Sequence, residues 1–112
     1  MARLIVEAHS EDTVAAPGNR LSNYICVSIT DTNGNPVTGL TVENFKVDPM
    51  ISAPGSGLVH VNSFFAARLP GFYYLNIAPD NMGHWKHGVY IFAIAVEKGK
   101  DKGQTLAAVL MD

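Results

Sequence analysis

Asp31-Thr32-Asn33-Gly34-Asn35-Pro36-Val37-Thr38-Gly39-Leu40 is the stretch that decides the fold. It follows the alternating run Tyr24-Ile25-Cys26-Val27-Ser28-Ile29-Thr30 and leads toward Phe45-Lys46-Val47. Asn33-Gly34 supplies positive φ, Pro36 blocks further pairing, and Val37 re-enters the apolar pattern. A turn of this composition between short strands predicts antiparallel β-sheet. In the run before it, Ile25, Val27 and Ile29 face one way, while Tyr24, Cys26, Ser28 and Thr30 face the other. Such alternation implies one buried face and one wetter face. Asp31, Asn33 and Asn35 also mimic the first ligands of a calcium loop. The sixth and twelfth positions hold Pro36 and Val42, where that loop needs Gly and a bidentate Glu, so a plain turn is expected.

The same rhythm extends in both directions. Short runs rich in Val, Ile, Phe and Tyr recur between Gly, Pro and Asn clusters, and no segment keeps a helical period. Strands are expected at 3–8, 23–30, 45–48, 58–67, 72–78, 89–97 and 104–111. A single helical turn is expected at 41–44 and loops at 49–57, 79–88 and 98–103. Seven strands with turns at this spacing predict an all-β sandwich with Greek-key connections.

Length and composition bound the rest. At 112 residues the chain forms a single domain, 1–112, large enough for one core without staples. Charged residues make up only 16%, against about 25% in an ordinary domain. Apolar side chains are therefore expected outside the core as well as within it. A net charge of −2 gives no electrostatic case for nucleic acid or an anionic membrane. No apolar run is long enough to span a bilayer as a helix, so no membrane insertion is expected. Cys26 is the only cysteine, which excludes an internal disulfide and a thiolate zinc cluster. The first residues lack the apolar core and cleavage site of a signal peptide. The sequence thus reads as cytoplasmic or virion-borne if complete, and as cell-surface if cut from a longer exported chain.

Residues 25–40, from Ile25-Cys26-Val27-Ser28-Ile29-Thr30 through the opening turn, resemble the strand-and-turn signature of bacterial immunoglobulin-like domains of the invasin/intimin kind. Gly88-Val89-Tyr90-Ile91-Phe92 resembles the Gly-x-Tyr start of a late strand in such sandwiches, where the tyrosine hydroxyl bonds back to the corner. The resemblance implies an immunoglobulin-like module that binds or spaces. It transfers no catalytic residue and no cofactor.

Three constellations in the sequence are candidates for function. His84 and His87, with Asp80 nearby, are the weak metal candidates, because two imidazoles three residues apart suit zinc, copper or nickel. Trp85, Tyr73 and Tyr74 are candidates for a sugar-stacking or ligand patch, since aromatic neighbours on a strand point to opposite faces. No serine sits in a Gly-x-Ser-x-Gly context, and no carboxylate pair has an evident environment to separate its pKa values, so no enzyme is expected. The last two strands are apolar on both faces. One face of Val89-Tyr90-Ile91-Phe92-Ala93-Ile94-Ala95-Val96 carries Tyr90, Phe92, Ile94 and Val96, which read as core. The other carries Val89, Ile91, Ala93 and Ala95. Paired with Val109 and Met111, that second face is the expected interface with a protein partner, most simply another copy of the chain. The function expected is a non-enzymatic binding or structural module of adhesin or surface type. The competing readings are a carbohydrate-binding module and a structural part of a virion or secretion assembly.

Overall fold

The computed structural model describes residues 3–10, 23–53, 59–79, 85–86 and 88–111. Seven strands appear in chain order: β1 (Ile5–Ser10), β2 (Asn23–Thr30), β3 (Phe45–Ile51), β4 (Val59–Ala66), β5 (Phe72–Pro79), β6 (Gly88–Lys98) and β7 (Asp101–Met111). A single 3₁₀ turn, Val42–Asn44, precedes β3. All strand pairs are antiparallel and form two sheets, one ordered β1-β2-β5-β4 and the other β3-β6-β7. No helix among the described residues is long and apolar enough to cross a membrane.

The two sheets enclose one core, and the alternation of each strand explains which side chains enter it. Ile25, Val27 and Ile29 of β2 are fully buried, as are Leu75 and Ile77 of β5. From the other sheet come Tyr90, Phe92, Ile94 and Val96 of β6, with Ala107 and Val109 of β7. Each large aliphatic or aromatic side chain removed from water in this way contributes about 1.5–3 kcal/mol. Phe45, Phe64 and Tyr73 meet where β3, β4 and β5 converge, with ring centroids 5.1–5.7 Å apart.

The decisive turn folds as its residues dictate. Gly34 takes φ +85°. The Asp31 carboxylate accepts from the Asn33 and Asn35 backbone N–H groups at 2.8 and 3.0 Å. Val37 N–H donates to the Ile29 carbonyl at 2.9 Å, which returns the chain to β2. Asp31 thus serves the turn's own backbone, as an Asx turn does.

Three strands differ from the sequence reading by two residues or more. β3 continues through Pro49 to Ile51, with a register irregularity between them, where a loop was expected. It lies at a sheet edge beside a register irregularity, and both are places where a strand tolerates a residue without an N–H. β7 begins at Asp101 rather than 104, because the hairpin is closed by only Gly99 and Lys100, with Gly99 at φ +61°. β1 is displaced toward the C-terminus, because Arg3 and Leu4 pair elsewhere. Arg3 bridges Lys102 in parallel, and Leu4 N–H donates to the Lys102 carbonyl at 2.8 Å. The chain then crosses to pair with β2, so the segment 3–10 joins the two sheets.

Candidate interaction surface

β6 and β7 run in unbroken register from Lys98↔Asp101 to Gly88↔Met111. Directly opposed residues of an antiparallel pair share a face. Val89 therefore lies beside Leu110, Ile91 beside Ala108, Ala93 beside Leu106, and Ala95 beside Gln104. Ile51 of β3 completes the row at Ile91. These side chains form the outer face of the three-stranded sheet. Val89, Ile51, Leu110 and Leu106 are 44%, 52%, 57% and 62% exposed, and Ile91, Ala93 and Ala95 are half-buried. The face is not wholly apolar: exposed Asp48 of β3 lies beside Ala93, Lys46 and Gln104 flank Ala95, and Glu97 pairs with Lys102 at 3.6 Å.

Val109 is not on this face. It is fully buried in the core, opposite Tyr90. The outer residues of β7 are Leu106, Ala108 and Leu110. The two-residue hairpin fixes the register, and a register step of one exchanges the faces of a strand. The Met111 side chain lies outside the described residues. The sequence reading missed Leu106 and Leu110; counting outward from the Gly99-Lys100 turn would have found them.

The aromatic candidates divide in the same way. Tyr73 is 2% exposed, and its hydroxyl donates to the Val37 carbonyl at 2.7 Å. Trp85 is completely buried and packs edge-on against Tyr90, centroids 5.0 Å apart. Both are core residues rather than surface platforms, because each faces the inter-sheet space. Tyr90 carries the corner interaction: its hydroxyl accepts from Lys86 N–H at 2.8 Å and donates to the Lys86 carbonyl at 3.2 Å. Tyr74 does reach the outer face of the four-stranded sheet, half-buried. It stacks with Phe65 at 5.1 Å and meets Tyr24 edge-on at 6.1 Å. The rings thus pack on one another instead of lying side by side as a sugar platform does. Cys26 is buried on this same sheet.

Asp80, His84 and His87 lie outside the described residues. Among the described residues no group of three His, Cys, Asp or Glu could hold a metal ion. A cleft of about 790 Å³ opens where β1 leaves β7, lined by Arg3, Leu4, Val6, Val96, Lys102 and Gly103 among others. Gly103 is needed there, since a Cβ would meet the Leu4 backbone and come within 2.8 Å of Val6 Cγ2.

No family model, curated protein or solved structure matches this chain.

Proposed function

We propose that this chain is an immunoglobulin-like Greek-key sandwich acting as a non-enzymatic protein-binding or structural module that associates with copies of itself. Two features support the fold reading. With the strands lettered in chain order, the sheets are A-B-E-D and C-F-G, the arrangement of constant-type immunoglobulin domains. The Tyr90 hydroxyl also bonds back to the Lys86 backbone at the start of strand F, the place of the tyrosine corner.

The observation that carries the functional reading is the exposed apolar face of β6 and β7. Leu106, beside Ala93, and Leu110, beside Val89, stand more than half exposed on a strand with no charged residue between Gly103 and Met111. Contiguous apolar surface of a few hundred Å² on a small domain marks an interaction site. The carbohydrate alternative keeps only Tyr74 of its three candidate rings at a surface, which favours the protein-binding reading. An adhesin-type surface context and a structural place in a virion or secretion assembly both fit a module of this kind.

The test is the mass in solution of the whole chain and of Leu106→Asp across the micromolar range, by sedimentation equilibrium. The wild-type chain should associate with rising concentration, and Leu106→Asp should remain monomeric with an unchanged far-ultraviolet spectrum. A wild-type chain that is monomeric at the highest concentration overturns the self-association reading.

A further inference from the structure

The four sheet edges are not alike. The β1 edge starts already bridged to β7 and carries Glu7. The β3 edge holds Lys46, Asp48 and Pro49 and breaks register before Ile51. The β4 edge shifts register between Val61 and Ser63. Charges, proline and bulges are the devices that keep an edge from pairing with another chain. β7 has none of them from Gly103 to Met111, and its ladder to β6 is regular throughout.

The direction of its backbone groups can be assigned. The Lys102 carbonyl accepts from Leu4, so at Lys102 the backbone faces away from β6. Alternate residues of an antiparallel strand share that direction. Gln104, Leu106, Ala108 and Leu110 therefore turn their N–H and C=O groups away from β6. Beyond Lys102, β1 packs alongside β7 without forming a ladder to it, and no described residue pairs with that edge.

We propose that β7 pairs antiparallel with β7 of a second copy about a two-fold axis at Ala108, joining the two three-stranded sheets into one of six strands. This rests on the self-association reading and names its geometry. The edge is self-complementary. The axis sets Leu106 against Leu110 of the partner subunit and Ala108 against Ala108 of the partner subunit. The outer apolar faces then run on continuously. With no charge along the stretch, two copies meet without like-charge repulsion. The Leu4 bridge at Lys102 stops the pairing from sliding toward the hairpin. Each copy brings the flank of one strand with Leu106 and Leu110, a total on the order of 1,000 Å², which belongs to the weak, reversible class of interface.

Amide exchange followed by NMR on the whole chain, at dilute and at high micromolar concentration, tests this. The Leu106, Ala108 and Leu110 amides should slow by about tenfold or more with concentration, since exchange then requires opening of the pair. Ala108→Pro removes an N–H that β6 does not use, so the variant should fold and stay monomeric. Val89→Asp, on the outer face but one strand removed from the edge, should still dimerise. A dimer whose three edge amides exchange as fast as in dilute solution overturns the edge geometry and leaves self-association standing. So does an Ala108→Pro dimer. Dissociation by Val89→Asp alone moves the contact to the face and also overturns the edge geometry. A wild-type chain that never associates overturns both readings. Should Ala108→Pro fail to fold, the amide exchange of the wild-type chain decides alone.

Discussion

The Tyr73 hydroxyl holds the Val37 carbonyl at 2.7 Å and accepts from Leu40 N–H at 3.4 Å. Its ring lies in the core of β5, yet its hydroxyl fixes the end of the turn that follows β2. Tyr73→Phe keeps the ring contacts with Phe45 and Phe64 and removes both bonds. The Leu40 N–H, buried with its side chain, then lacks an acceptor. A loss of about 1–3 kcal/mol is expected in urea unfolding. An unchanged midpoint would show that the hydroxyl contributes nothing net.

Gly71 and Gly34 both have positive φ, at +82° and +85°, but only Gly71 is crowded. A Cβ on Gly71 would sit 2.8 Å from Pro36 Cβ and 2.9 Å from the Ile29 carbonyl oxygen, while a Cβ on Gly34 would meet nothing within 4 Å. Gly34→Ala should therefore cost only the backbone term, about 1–2 kcal/mol. Gly71→Ala adds a clash with backbone that cannot move freely, because Ile29 N–H is bonded to the Gly71 carbonyl at 2.8 Å. Its cost should exceed that of Gly34→Ala by at least about 1 kcal/mol. Thermal unfolding of the two variants side by side checks the order.

Asp31 gives the turn a pH dependence of known sign. Its carboxyl is held below the usual carboxylate range, chiefly by the Asn35 backbone N–H, and also by the Asn33 N–H. A folded pKa below the unfolded one means that the unfolded chain binds protons first as the pH falls. The stabilisation is complete above the unfolded carboxylate value of 3.8 and is lost as the pH drops through the folded value. Asp31→Asn keeps an acceptor oxygen and removes the titration. Its stability should fall less than that of the wild-type chain between neutral pH and pH about 3. Parallel urea curves at the two pH values, with equal losses for both proteins, would remove Asp31 from the acid response.

Much of the strand pattern was legible because Gly, Pro and Asn punctuate it and because Ile25, Val27 and Ile29 alternate with polar residues. The Tyr90 corner was legible through Gly88, which precedes it at the required spacing. The face of β7 was not. Leu106, Ala107, Ala108, Val109, Leu110 and Met111 are apolar at both parities, so periodicity cannot say which set points inward. The answer lies in the pairing with β6, and there the number of residues in the hairpin decides. The packing of Trp85 could be read from its size but not from periodicity. A single aromatic in a polar connection has no periodic neighbours, and only its packing on Tyr90 shows its place.

Val109→Asp and Leu110→Asp test that assignment directly. The two residues are neighbours in sequence and opposite in environment, 0% and 57% exposed. An aspartate at 109 would enter the inter-sheet core beside Tyr90 with no partner for its charge. A loss above about 4 kcal/mol is expected, a large part of the about 5–15 kcal/mol that holds an ordinary domain folded. An aspartate at 110 stays in water, so the monomer should lose less than about 1 kcal/mol. It should instead weaken association, since Leu110 lies on the proposed contact. Circular dichroism melts at low protein concentration separate the two variants. A folded Val109→Asp with an unfolded Leu110→Asp would mean that β7 pairs one residue out of register, and the outer face would then carry Val109 after all.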